Sequence, residues 1–309
     1  MKVSLISTVK DASAHIEEFL ASVAGQTRAP DEVIVVDGGS TDGTLDLLRR
    51  AGADHVTVIE EPGANIARGR NVAIAAATHD VIAVSDADCV LDPEWLERML
   101  EPIEAGADVS MGFYQPIVDG FLDACMASVN LALDASEIDP ERFIPSGRSV
   151  AFRRGSIDAA GGYPEWLPIG EDTWVGHRWR ELGVDMRFAP DAVVRWRLRP
   201  TLHSTWTQYF RYARGDAQAG MFPERHALRF GVYGGAAVAL VSHRRWPKVL
   251  AAVGAVAYAS EPMRRARQRM PDARERAAAV LVVPALMGWI DTAKMAGYVA
   301  GLIDRGQAS

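Results

Sequence analysis

Asp86 and Asp88 stand one residue apart in Val-Ile-Ala-Val-Ser-Asp-Ala-Asp-Cys, residues 81–89. The apolar run before them predicts a strand buried on both faces. In an extended chain, positions i and i+2 share a face. Two carboxylates that close repel and raise one pKa. A hard divalent cation removes the conflict, because Mg²⁺ takes one or two carboxylates together with substrate phosphates. The same residues also read as an acidic strand-end turn, with Asp92 before Pro93 starting the next helix. Asp37 is a second acid at an expected strand end and precedes Gly-Gly-Ser-Thr-Asp-Gly. Glu171-Asp172 is a third acidic element and opens an expected helix. Acids there are stabilised by the helix dipole. One that faced a metal site would also serve as a general base.

Alternating strands and helices are needed to bring these acids together. Strands are expected over 2–7, 32–36, 55–59, 81–84 and 108–112, with helices over 44–50, 66–77 and 94–104. Ile16, Phe19, Leu20 and Val23 mark another helix by their i, i+3, i+4, i+7 spacing. Trp95, Leu96, Met99, Leu100 and Ile103 line one side of the helix after Pro93. This alternation implies a parallel sheet covered on both faces. Ligands of such sheets bind beyond the carboxyl ends of the strands, where Asp37 and the Asp86/Asp88 pair fall. The glycine-rich loop 38–43 lacks both Gly-Lys-Ser/Thr and Gly-x-Gly-x-x-Gly, so neither a P-loop nor a nicotinamide cofactor has support. It remains either a simple turn or a flexible approach for a flat ring.

The composition is that of a globular protein, 49% hydrophobic and 24% charged over 309 residues. Two cysteines supply no disulfide framework, which suits a reducing compartment. The apolar run at the amino terminus is too short for a signal peptide, so a cytoplasmic location is expected. The net charge of −7 conceals an asymmetry. Residues 1–194 hold 15 Lys and Arg against 33 Asp and Glu, whereas 195–276 hold 16 against 5. A basic segment of this kind faces an anionic surface.

Several motifs now line up: Ser7-Thr8, Val36-Asp37-Gly38-Gly39-Ser40-Thr41-Asp42-Gly43-Thr44, Ala67-Arg68-Gly69-Arg70-Asn71, Ser85-Asp86-Ala87-Asp88 and Gly170-Glu171-Asp172. In order and approximate spacing they resemble family 2 glycosyltransferases over about residues 1–215. Gln208-Tyr-Phe-Arg211-Tyr212 is similar to that family's Gln-x-x-Arg-Trp element, with Tyr for Trp. The resemblance implies an α/β fold of GT-A type, a Rossmann-like mixed, mostly parallel sheet flanked by helices. It implies metal-dependent, inverting sugar transfer from a nucleotide-diphosphate donor, UDP-sugar favoured, with GDP- or dTDP-sugar as alternatives.

By the same resemblance Asp37 would bond the donor's base, with Thr8, Arg68, Arg70, Asn71 and Asp86 as further donor contacts. Asp88, with Asp86, would hold Mn²⁺ or Mg²⁺. Asp172 would be the base, Glu171 its neighbour, and Gln208, Arg211 and Tyr212 would lie near the acceptor or the diphosphate. Two departures stand out: Gly38 replaces a second Asp found in many relatives, and Tyr212 argues for non-processive transfer. His203, in a basic loop, reads as a solvated side chain or as a third metal ligand.

The expected domains are a catalytic 1–220, with a donor half about 1–112 and an acceptor/base half about 113–220, and a helical, basic 221–309. Uncharged runs at 230–241, 249–260 and 277–290 fall short of a membrane span. Separated by clusters of arginine, they suit helices lying on an anionic membrane, peripheral on its inner face, better than a nucleic-acid surface. A soluble helical subdomain or an oligomer interface is the other reading. A lipid-linked or glycan acceptor would suit the membrane. Rival functions are nucleotidylyl transfer and a carbohydrate-binding protein with a degenerate site.

Overall fold

The alternation of the first third forms β1 (Val3–Val9), α1 (Ile16–Ala24), β2 (Glu32–Asp37), α2 (Thr44–Ala51), β3 (Thr57–Glu60), α3 (Ile66–Ala76) and β4 (Val81–Val84). There follow β5 (Cys89–Leu91), α4 (Trp95–Glu104), β6 (Val109–Ile117), α5 (Phe121–Asn130), β7 (Val150–Arg153), α6 (Arg154–Ala160), α7 (Glu171–Glu181) and β8 (Met186–Arg197). Four helices end the chain: α8 (Leu202–Ala219), α9 (Pro223–Val241), α10 (Arg245–Arg269) and α11 (Ala273–Ala308). The structure is a computed structural model that describes residues 1–51 and 56–308. His55, expected to begin the third strand, lies outside the described residues.

The periodicities behave as the side chains require. Ile16, Phe19, Leu20 and Val23 of α1 are all buried, and so are Trp95, Leu96, Met99, Leu100 and Ile103 of α4. Full burial of such a side chain contributes roughly 1.5–3 kcal/mol.

The chain divides into two compact units. The first comprises residues 1–116 and 134–197, the second residues 117–133 and 198–309. The boundary thus falls at 197/198 rather than at 220. Residues 117–133 join the helical unit because Ala124, Cys125 and Met126 of α5 pack in one core with Ala266, Met270, Ala279, Val283, Leu286 and Met287.

The described residues of the first unit form an eight-stranded sheet of order β3-β2-β1-β4-β7-β6-β8-β5. β3, β2, β1 and β4 run parallel, whereas β7 is antiparallel to β4 and to β6, and β8 is antiparallel to β5. The sheet is therefore mixed, and its parallel part comes from the four strands of the alternating segment. β8 has no counterpart in the sequence reading. Its alternating Ala192, Val194 and Trp196 are buried, but the strand also carries Pro190, Arg187, Asp191, Arg195 and Arg197. Ile6, Ile34, Ile82, Phe152 and Trp179 meet in the core beneath the sheet.

In the second unit, α11 runs through Pro284 and past the uncharged stretch that ends at Ile290. By length and composition alone it could cross a membrane, with 39% of its most apolar window buried.

Candidate active site

The loops at the carboxyl ends of β1 and β2 are bound to one another. Asp37 is buried at 2% exposure. Its Oδ2 accepts from the backbone N–H groups of Gly39 and Ser40, both at 3.0 Å, and its Oδ1 accepts from Ser40 Oγ at 2.5 Å. In this structure the Asp37 carboxylate therefore shapes the loop 38–43 from within. The loop after β1 is bound to it: Thr41 N donates to Asp11 Oδ1 at 2.8 Å, Ala12 N to Thr44 Oγ1 at 2.8 Å and Ser13 N to Asp42 Oδ2 at 2.9 Å. The hydrogen bonds from Thr44 and Ser13 hold the Asp42 carboxyl well below the usual range. Thr8 is half-buried near the end of β1, paired with Val36.

β4 stops at Val84, and Asp86-Ala87-Asp88 is a turn closed by Cys89 N donating to Asp86 O at 3.1 Å. The turn, not an extended strand, sets the orientation of the two acids. Ala87 between them is buried, and both carboxylates are half-buried. Asp88 Oδ2 accepts from Trp196 Nε1 of β8 at 3.3 Å.

Arg70 joins this turn to the second acidic element. Its Nη2 donates to Asp86 Oδ1 at 2.8 Å and its Nη1 to Glu171 Oε1 at 2.5 Å. The guanidinium is almost fully buried, 5.2 Å from the Tyr163 ring centroid. It fits there because position 147 is glycine: a Cβ at that position would lie 2.0 Å from Arg70 Nη2. The resemblance implies that Arg70 is a donor contact. In the structure its Nη1 and Nη2 donate to the two acids. Burial works against the Arg70 charge, but Glu171 and Asp86 outweigh it and raise its pKa. Burial pushes the Glu171 carboxyl up to about 7 against the pull of Arg70, and the charges of Asp172 and Asp86 add to the rise.

Asp172 is the more open member of its pair. Gly170, at φ 87°, turns the chain into α7 in a conformation that glycine adopts without strain. The Asp172 carboxylate is half-buried; Oδ2 accepts from Gly147 N at 2.9 Å and Oδ1 from Thr173 N at 2.6 Å. Both bonds fix the direction in which the carboxylate points. A carboxylate so held can accept a proton from a hydroxyl brought to it.

The remaining expected residues have other surroundings. Arg68 is exposed at the start of α3 and pairs with Glu61 at 3.1 Å and Glu165 at 3.6 Å. Asn71 brackets Tyr163, accepting from its N–H and donating to its C=O, both at 2.9 Å. Gln208, Arg211, Tyr212 and His203 stand on α8, in the second unit. Gln208 is buried and donates to Tyr212 Oη at 3.1 Å, whereas Arg211 and His203 are exposed. Among the described residues no three His, Cys, Asp or Glu side chains converge. Asp86 and Asp88 offer the kind of hard-oxygen donors that a Mg²⁺- or Mn²⁺-like ion takes when it shares its shell with phosphates.

Gly147, Arg148, Tyr163 and Trp196 are site residues that the motifs did not single out.

Comparison with known proteins adds a second line. The model of glycosyl transferase family 2 matches residues 4–159. The chain is 27% identical over 236 residues to glycosyltransferase AglE of Haloferax volcanii, covering 74% of this chain and 76% of that protein. It is 24% identical over 222 residues to the O-antigen chain rhamnosyltransferase RfbN of Salmonella typhimurium, covering 68% and 71%. Its fold is like that of mannosyltransferase PcManGT from Pyrobaculum calidifontis, solved in complex with GDP-Man and Mn²⁺. That match has a TM-score of 0.61 and 20% identity and covers 98% of this chain and 88% of that one. The mixed sheet flanked by helices is the GT-A arrangement.

Proposed function

This chain belongs to glycosyl transferase family 2 and is a glycosyltransferase, and on that premise we propose that it transfers a sugar from a nucleotide-diphosphate donor to an acceptor hydroxyl in one inverting displacement. The observation that carries the reading is the tie between the two acidic elements: Asp86 and Glu171 share Arg70, and Asp172 is held by Gly147. Asp172 takes the proton of the acceptor hydroxyl as that oxygen bonds the anomeric carbon. The bond from that carbon to the donor phosphate breaks, and its electron pair leaves with the nucleoside diphosphate. No covalent sugar–enzyme bond is required. A positioned base of this kind contributes about 10²–10⁴-fold. Asp88 and Asp86 would hold Mn²⁺ or Mg²⁺, which supplies Lewis-acid stabilisation of the departing charge.

UDP-sugars remain the favoured donors, and the GDP-Man of PcManGT supports testing GDP-sugars beside them. A thermal-shift panel of UDP-, GDP- and dTDP-sugars with and without Mn²⁺ names the donor class. Stabilisation is expected from one class and only with the metal, by linkage. Stabilisation by none would remove the donor reading, and NMR of the product's anomeric configuration would test inversion.

The proposal extends to an acceptor that is a lipid-linked or other glycan, and to an anionic membrane surface bound through residues 221–309. The support is an apolar helix pair: α9 and α10 are in contact and joined by residues 242–244. Val238, Leu240, Val241, Trp246, Leu250, Val253 and Val256 are exposed along it. His243, Arg244, Arg245 and Lys248 cluster at its tip. Apolar patches of this kind mark interaction sites, and their basic rim suits acidic headgroups.

A further inference from the structure

Arg148 lies in the first unit's site without belonging to any of the motifs. Two rings hold its guanidinium: its Cζ is 4.3 Å from the Trp196 ring centroid and 5.6 Å from that of Tyr114. Nη1 also donates to Ser146 Oγ at 3.2 Å. The residue is half-buried, whereas Trp196 beneath it is only 4% exposed. This tryptophan is the one whose Nε1 donates to Asp88 Oδ2. The residue before Arg148 is Gly147, whose N–H holds Asp172 Oδ2 at 2.9 Å. One turn thus carries both the backbone N–H that holds Asp172 and, on the next residue, a cation stacked on the tryptophan that bonds Asp88. An arginine stacked on aromatic faces keeps its charge, and its planar fork of donors is already oriented. Such forks match phosphate oxygens two at a time.

We propose that Arg148 binds a phosphate group of the reactants and helps hold it against the site of transfer. The inference rests on the glycosyl-transfer reading above. The phosphate could belong to the donor's diphosphate or to a phosphate carried by a lipid-linked acceptor.

The test uses the full-length protein with Arg148→Met, which preserves an apolar stem on Trp196 and removes the charge, and Arg148→Lys, which preserves the charge and removes the fork. Calorimetry measures binding of the nucleoside diphosphate that stabilises the wild type, with Mn²⁺ present. Initial rates give KM for donor and acceptor separately. Contact with the donor predicts at least a tenfold loss of nucleoside-diphosphate affinity in Arg148→Met and a smaller loss in Arg148→Lys. Contact with an acceptor phosphate predicts unchanged nucleoside-diphosphate affinity and at least a tenfold rise in acceptor KM. If both quantities in Arg148→Lys and in a folded Arg148→Met stay within about twofold of wild type, the proposal is overturned. A wild-type protein that binds no nucleotide sugar would instead sink the donor reading, and this inference with it.

Discussion

Asp172 and Glu171 are adjacent in sequence, but their surroundings differ. Asp172 is half-open and held by two backbone N–H groups, whereas Glu171 is buried against Arg70 with its carboxyl raised to about 7. As pH falls through about 7, Glu171 takes up a proton and Arg70 loses half of its ionic support. Sugar transfer is therefore expected to fall on an acid limb near pH 7. The stability effect has the opposite sign. The folded pKa lies above the ordinary 4.5, so the Glu171 contribution is fully present below about 4.5 and is lost as pH rises towards 7. Glu171→Gln should flatten both the limb and that slope. A kcat/KM profile whose limb is unchanged in the variant would assign the titration to another group. The sequence exposed the acids but not the burial of Arg70. A residue near a helix start reads as solvated, and nothing local reveals that Gly147, 77 positions on, closes over it.

Among the elements, helices with strong 3.6-residue spacing were legible because their burial follows from their own pattern. α1 and α4 are the clear cases. β8 was not, since its charged alternate residues and Pro190 obscure a strand whose partners β5 and β6 are distant in sequence. α11 was legible only in part. Its uncharged run ends before Asp291, yet the helix continues because that buried carboxylate has partners on two other helices. Arg229 Nε of α9 donates to Asp291 Oδ1 at 2.8 Å, and Tyr233 of α9 and Tyr258 of α10 donate to Oδ2 at 3.0 and 2.7 Å. Asp291 thus fastens the α9–α10 pair to α11. Removing one partner from a buried ion pair typically costs about 3–5 kcal/mol. Asp291→Ala should therefore raise hydrogen exchange across α9 and α10 and leave the sheet of the first unit protected. Unaltered protection of α9 would show that apolar packing alone holds the pair.

For the whole molecule, the charge split was readable from composition, whereas the partition into units was not. Residues 117–133 leave the first unit for a core formed with residues more than a hundred positions away, a contact to which no local pattern points. The exposed α9–α10 pair and its basic tip lead to an expectation at this scale. The protein should float with vesicles containing acidic lipid, and Arg244→Glu with Arg245→Glu should weaken that binding severalfold at low salt. Equal binding to neutral and acidic vesicles would remove the electrostatic part of the membrane reading.

The central claim is that Asp172 is the base of a transfer organised around Asp86 and Asp88, and Asp172→Asn tests it most directly. Nucleoside-diphosphate and Mn²⁺ binding by calorimetry are expected to stay within about twofold of wild type. Single-turnover sugar transfer is expected to drop by about 10²–10⁴-fold. Transfer at the wild-type rate in that variant would contradict the account.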